Sequence, residues 1–169
     1  MDVEKSAQGN SNRLELTVSL ILPSSQLVDE AKNLLKFNLV VGTFDRQVLC
    51  PTVAWCEEFS WWAFRNKPKY LAEKRDCEDI SMWARVQATE SLVKNRGSGN
   101  VGHSFTFCYI AISFEHELNG IPGSGEAHIT NIVRTDEGWR FFETQTGLHC
   151  PAIQAIDLGA VPLRCWMFV

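Results

Sequence analysis

Apolar residues recur at helical spacing in the first half of the chain. Ser25 is the expected N-cap of a helix that continues through Leu35. A longer helix is expected after Asp76, because the residues that follow mix apolar and polar positions as a largely buried amphipathic helix does. Residues 14–18 alternate as a strand does, although they could also begin an apolar helix, and residues 37–41 predict a second strand.

Residues 50–70 are dense in aromatic side chains, and Asn66-Lys67-Pro68 ends that segment. We interpret the segment as a helix or loop that packs into the core, with a substrate-binding wall as the alternative.

The second half of the chain has the character of β-structure. Aromatic and β-branched runs bounded by turn signals predict strands over 105–114, 127–133, 139–143 and 161–169. A short helix is predicted over 151–157. The second and third of these strands are joined by the hairpin signal Asp136-Glu137-Gly138. Because helices come first and strands follow, we predict the α+β class, with the long helix packed on an antiparallel sheet.

Composition and charge exclude several classes of protein. The 169 residues are 45% hydrophobic and 21% charged, and the net charge of −4 argues against nucleic-acid binding. No apolar run reaches the roughly 18 residues that a membrane span needs, and the acidic, polar N-terminus is unlike a secretory signal. We expect a soluble, cytoplasmic protein without a membrane partner, made of a disordered tail over residues 1–12 and a single domain over 13–169.

Six cysteines are present, at positions 50, 56, 77, 108, 150 and 165. Without a secretory signal, free thiols are the expectation, and the absence of any CxxC pair argues against a structural zinc site. Most of these cysteines are expected to be small buried apolar residues.

Cys77 differs from the other cysteines in its surroundings. It would occupy the first position of the long helix, with Asp76 as N-cap and with Glu78 and Asp79 in the first turn. Unpaired N–H groups at a helix N-terminus favour a thiolate, whereas the flanking carboxylates oppose it. Cys77 therefore becomes a nucleophile only if a basic group approaches it from elsewhere in the fold.

His128 is the histidine best placed to be that group. If the hairpin at 136–138 closes, His128 comes level with the Glu143–Gln145 end of the partner strand, where a carboxylate can orient the imidazole. His149 is the reserve base. Asn131 should point to the opposite strand face from His128, which favours a structural role.

A cysteine on a helix N-terminus, a histidine on a strand and an acid on the next strand form the papain and transglutaminase arrangement. Three blocks of sequence carry a more specific resemblance: Arg75-Asp76-Cys77-Glu78-Asp79-Ile80, Gly125-Glu126-Ala127-His128-Ile129-Thr130-Asn131 and Phe141-Phe142-Glu143-Thr144-Gln145-Thr146-Gly147. In this order they resemble the C-terminal domain of the fairy-ring mushroom agglutinin family, a calcium-activated, papain-like cysteine protease. The resemblance covers roughly residues 50–150.

The resemblance implies a role for each matched residue. Cys77 would be the nucleophile, His128 the general base and acid, and Glu143 the residue that orients His128. It further implies a calcium site formed by Glu78, Asp79, Glu143 and Gln145, whose oxygen ligands suit a hard cation.

The chain departs from that family at several points. Glu78 stands where the family tends to have aspartate, and Thr144 replaces a proline. Residues 1–49 are too few for the family's β-trefoil lectin domain, so sugar binding is not expected.

The function predicted from these residues is that of a cysteine-dependent hydrolase, a thiol protease acting on a protein or peptide substrate. A non-catalytic binding module and an amidase or transglutaminase-type acyl transferase are the alternatives, and a homodimer is left open. The oxyanion hole would use the Cys77 N–H and a second donor, for which Trp62 and Asn66 are the candidates.

Overall fold

The computed structural model describes residues 18–36, 39–42, 46–69, 76–94, 104–113 and 127–168. Within those residues, four helices are formed: α1 (Ser24–Leu35), α2 (Val53–Asn66), α3 (Cys77–Lys94) and α4 (Ala152–Asp157). The strands in the same ranges are β1 (Val18–Pro23), β2 (Leu39–Gly42), β3 (Gln47–Pro51), β4 (Ser104–Phe105), β5 (Phe107–Ser113), β6 (Ala127–Thr135), β7 (Gly138–Glu143), β8 (Leu148–Pro151) and β9 (Val161–Phe168). This mixture of helix and sheet agrees with the predicted α+β class.

The described strands form two sheets. The larger has the order β2-β9-β5-β6-β7-β8, and its pairs are antiparallel except for β2, which runs parallel to β9. The smaller has the order β1-β3-β4.

The large sheet carries apolar side chains on both faces, because successive residues of a strand point in opposite directions. One set includes Ile110 and Ile132 and packs with buried residues of α1 and α4. The other set includes Phe107, Val133 and Phe142 and packs with α2 and α3. Helices therefore pack on both faces of the β5–β7 region, which supplies two of the candidate site residues.

The aromatic segment forms α2 and is largely a core element. Trp55 and Phe59 are buried, and the Phe59 ring lies 5.5 Å from Phe107 and 5.6 Å from Phe142, centroid to centroid. Trp61, in contrast, is 58% exposed. The helix ends at Asn66, as the Asn66-Lys67-Pro68 signal predicts.

Local predictions are confirmed at several boundaries. The hairpin closes at the predicted turn, with Thr135 opposite Gly138 and Asn131 opposite Phe142. The short helix α4 and the last strand β9 lie where the sequence pattern put them.

Three features differ from the predictions. The strands β1, β2 and β3 precede or separate the helices, so the expectation of helices first and strands afterwards is wrong. The strands β3 and β8 were not predicted; Val48, Leu49 and Cys50 of β3 are all buried and form an apolar run without alternation. Ser25 is not the N-cap: α1 begins at Ser24, after Pro23 at the N-cap position, and no side chain caps it. The Ser24 backbone N–H donates to the Arg46 carbonyl at 3.1 Å, which satisfies one of the N–H groups of the first turn.

Some predictions fall outside the described residues. They are the tail over residues 1–12 and most of the strand over 14–18. The division into a tail and a single domain stays a prediction. Across the residues that are described, no helix is long and apolar enough to span a bilayer.

Candidate functional site

The helix α3 begins as the sequence predicts. Cys77 is the first residue of α3, and the Asp76 carboxylate accepts the backbone N–H groups of Glu78 at 3.1 Å and Asp79 at 3.4 Å. This is the geometry of an N-cap. Cys77 is half-buried, while Glu78 and Asp79 point into solvent.

The hairpin brings His128 and Glu143 together. The Nε2 atom of His128 lies 2.5 Å from Oε2 of Glu143. Glu143 is 5% exposed, and its other oxygen, Oε1, accepts the backbone N–H of Gln145 at 2.8 Å. Both carboxylate oxygens are thus held by the protein, which fixes the plane of the group that orients the imidazole.

The other side of the His128 ring faces Cys77. The two side chains form a hydrogen bond, and because Nε2 is engaged by Glu143, Nδ1 is the nitrogen left for the thiol. The structure therefore brings together the three residues that the sequence singled out, in the order Cys77, His128, Glu143.

The electrostatics of this group favour a thiolate beside an imidazolium. The hydrogen bond with His128 lowers the pKa of Cys77, and the Ile129 backbone N–H lowers it further. Burial and the Asp76 charge raise this pKa, but the net shift is downward. Burial alone would lower the pKa of His128, but its contacts with Cys77 and Glu143 outweigh that effect and raise it to about 9. The two groups titrate as a pair, each stabilising the charged form of the other.

The remaining cysteines show the opposite tendency where a shift is resolved. Burial raises the pKa of Cys50 and of Cys56 to about 12, and it also raises the pKa of Cys150 and Cys165. All six cysteines are free thiols, as predicted. Cys77 is therefore distinguished by its charge environment as well as by its partners.

His149 does not compete with His128 for the role of base. Its Nδ1 accepts a hydrogen bond from Arg140 Nε at 3.3 Å, and burial, with the Arg140 charge, lowers its pKa. The hydrogen bond that shifts the pKa of Cys77 comes from His128.

The calcium site predicted from Glu78, Asp79, Glu143 and Gln145 stays a prediction. Among the residues with described positions, no group of three or more His, Cys, Asp or Glu side chains could hold a metal ion. The two oxygens of Glu143 already accept hydrogen bonds from within the protein, and Glu78 and Asp79 face solvent.

Sequence reasoning missed the contacts that hold the site together. The Ser60 hydroxyl donates to the Gly147 carbonyl, and the Gly147 N–H donates to the Glu143 carbonyl at 2.8 Å, so α2 supports the turn after β7. The glycine at position 147 was the available signal, because glycine readily adopts the positive φ, here 75°, found in this turn. Of the two candidate oxyanion donors, the Asn66 amide donates to the Trp62 carbonyl at 2.7 Å within α2. The second donor is therefore not assigned to Asn66.

Two solved structures are similar to this chain. The Polyporus squamosus lectin bound to a human-type influenza-binding epitope, Neu5Acα2-6Galβ1-4GlcNAc, matches with a TM-score of 0.68 and 16% identity over 88% of this chain. The PSL1a–E64 complex matches with a TM-score of 0.66 and 16% identity over 89%. The chain spans about half the length of these proteins, 50% of each. No protein-family model and no curated protein matches the chain.

These comparisons correct the family assignment made from sequence. The structural neighbours are lectin structures, and no protease family matches, so the assignment to the protease domain of the fairy-ring mushroom agglutinin family is wrong. At 16% identity the likeness shows a shared fold and nothing more. Three short blocks around reactive residues were too little sequence to define a family.

Proposed function

We propose that this chain is a cysteine-dependent hydrolase that cleaves amide bonds in a protein or peptide, with Cys77, His128 and Glu143 as its catalytic residues. The observation that carries the proposal is the continuous contact from the Cys77 thiol through the imidazole to a buried carboxylate. A thiol, a base and an orienting group in this order are what nucleophilic catalysis requires.

The geometry suggests the following steps. The Cys77 thiolate attacks the carbonyl carbon of the amide and forms a tetrahedral oxyanion. As that intermediate collapses, the C–N bond breaks and the His128 imidazolium gives its proton to the leaving amine. The resulting thioester is attacked by water, which loses a proton to His128. The C–S bond then breaks, the carboxylic acid product leaves, and the Cys77 thiolate and His128 imidazolium are restored.

Glu143 would act throughout these steps without exchanging a proton. Its carboxylate accepts from Nε2, which keeps the proton of the neutral ring on that nitrogen and leaves Nδ1 to face the thiol. Its negative charge stabilises the imidazolium that each half of the reaction needs.

The finer fold assignment belongs to the same proposal. A nucleophile at the first position of a helix, packed on an antiparallel sheet that supplies the base and its orienting acid, supports a papain- or transglutaminase-like arrangement. The same three residues would serve an amidase or a transglutaminase-type acyl transferase, in which an amine replaces water. Self-association as a homodimer stays a prediction.

The first test is the labelling of native protein with iodoacetamide between pH 5 and 9, resolved to single cysteines by mass spectrometry. Cys150 is the internal control, because it is also half-buried but its pKa is raised by burial. We expect Cys77 to react fastest and with the lowest midpoint. Incubation with E64, the compound in one of the neighbouring complexes, adds a second probe, since intact mass distinguishes covalent addition from reversible binding.

An inert Cys77 would overturn the proposal. The alternative, a non-catalytic binding module, would then take precedence. The sialylated trisaccharide bound by one neighbour would be the first ligand to titrate by calorimetry, and absence of heat would exclude that glycan.

A further inference from the structure

A buried hydrogen-bond network of side chains and backbone carbonyls joins α3 to the turn after β7, and the proposed chemistry does not use it. Its members are Ser81, Asn131 and Thr144, which are 3%, 0% and 1% exposed. Asn131 is central: its Nδ2 donates to the Ser81 carbonyl at 3.0 Å and to the Cys108 carbonyl at 3.2 Å. Its Oδ1 accepts from the Thr144 hydroxyl at 3.3 Å. Asn131 thus makes three of the four hydrogen bonds available to an amide.

Each end of this network lies next to a reactive group. Ser81 is one helical turn beyond Cys77, so the two share a face of α3. The Ser81 hydroxyl donates to the Ile129 carbonyl at 3.0 Å, and the N–H of the same Ile129 donates to the Cys77 thiol. At the other end, Thr144 directly follows Glu143.

On the basis of the proposed function, we propose that Asn131, through Ser81 and Thr144, is a positioning residue that fixes the separation between the Cys77 thiol and the Glu143 carboxylate. His128 must contact both groups at once, and this is possible only if the helix and the turn keep their spacing. The apolar contacts of α3 with the sheet are made in part by Ala84 and Ala88, small side chains that resist sliding weakly. Directional hydrogen bonds from a satisfied buried network define one arrangement.

The expected consequence of loosening this link follows from the geometry of catalysis. A displacement of about 1 Å at a reacting group can reduce a rate about a hundredfold. Loss of the link should also weaken the contacts that raise the pKa of His128, and should therefore move the titration of both members of the pair.

The test uses Thr144→Val, which removes the hydroxyl but keeps the shape, and Thr144→Ser, which restores the hydroxyl. Ser81→Ala leaves the Asn131 bond to the Ser81 carbonyl in place but removes the hydroxyl bond from α3 to the Ile129 carbonyl of β6. It is therefore an independent variant of the α3–β6 spacing if Thr144→Val folds poorly. The matched control is Thr106→Val, because Thr106 is also fully buried and its hydroxyl donates to the Arg134 carbonyl at 2.8 Å, at the other end of β6 from His128. Two quantities are measured: the pH midpoint of Cys77 alkylation, and the pKa of the His128 ring by NMR titration.

We expect Thr144→Val and Ser81→Ala to lower the pKa of His128 and raise the Cys77 midpoint, each by about half a unit to one unit. Thr144→Ser should restore both values, and Thr106→Val should change the melting temperature alone. If both site variants keep the wild-type titrations, Asn131 has a merely structural role and the proposal is overturned. The NMR titration separates this proposal from the proposed function. If Cys77 is inert but the pKa of His128 still responds to Thr144→Val, the hydrolase function is refuted while the positioning role of Asn131 is retained.

Discussion

Replacing Glu143 with glutamine is the sharpest perturbation of the site. The carboxylate accepts two hydrogen bonds, one on each oxygen, from His128 and from the Gln145 N–H. An amide of the same shape has one acceptor, so its NH₂ group must face either the Nε2–H of His128 or the Gln145 N–H. Because Glu143 is 5% exposed, water has little access with which to relieve that conflict.

The size of the effect follows from the charge that is lost. A hydrogen bond to a charged partner contributes about 1.5–3 kcal/mol. Since about 1.4 kcal/mol corresponds to one pKa unit, the pKa of His128 should fall from about 9 by about one to two units. The pKa of Cys77 should rise in response, because the imidazolium that stabilises its thiolate is less populated.

The assay is the pH profile of Cys77 alkylation, fitted for its midpoint. The rate at a single pH is less informative, because a more basic thiolate is intrinsically more nucleophilic and offsets about half of the change in the logarithm of the rate. Glu137→Gln is the matched control, since Glu137 is exposed in the hairpin turn and undergoes the same chemical change. A midpoint for Glu143→Gln within about half a unit of the wild type would refute the orienting role of the carboxylate.

The remaining predictions concern activity, metal and backbone. Cys77→Ala should abolish amide cleavage and leave the melting temperature nearly unchanged, and residual cleavage by the purified variant would eliminate the mechanism. The rate of cleavage should fall at low pH as the Cys77 thiolate is protonated, with a midpoint below the ordinary pKa of a cysteine thiol. It should fall again as pH rises through the pKa of His128, about 9, because the leaving amine then lacks a proton donor. A flat profile from pH 8 to 10 would contradict this. If the predicted calcium site exists, melting curves in calcium and in chelator should differ, because a ligand bound only by the native state stabilises it; coincident curves would count against the metal. Gly147→Ala should lower the free energy of unfolding by about 2–5 kcal/mol, since φ is 75° and the new Cβ would lie 2.9 Å from Phe64 Cβ. Gly159→Ala is its control in denaturant unfolding, with positive φ but no atom within 4 Å, and equal losses in the two variants would remove the Phe64 contact as a cause.

The proximity of Cys77, His128 and Glu143 could be predicted from sequence because each carries a local signal. Asp76 indicates the N-terminus of a helix, and the Asp136-Glu137-Gly138 turn determines which residues of β6 and β7 pair with one another. Chemistry then singles out Cys77 and His128 among the few residues able to react.

The supporting contacts could not be predicted, because most of them end on backbone carbonyls. The Ser81 hydroxyl bonds to Ile129 and the Asn131 amide bonds to Ser81 and Cys108, and a carbonyl is present at every residue whatever its type. The parallel pairing of β2 with β9 was equally hidden. This pairing joins distant parts of the chain, and the sequence pattern of neither strand indicates which strand it pairs with.

The position of β9 within the large sheet has a consequence for how the protein folds. Among the described strands it is the last in sequence, yet it lies between β5 and β2 and hydrogen-bonds to both. Until β9 arrives, β5 has an open edge and β2 has no neighbour in its sheet. Such pairing between distant segments makes folding slow, and it exposes an edge that could pair with another copy of the chain during that interval. We therefore expect aggregation during refolding to depend strongly on protein concentration, and a synthetic peptide of the β9 sequence to reduce it by occupying the open edge.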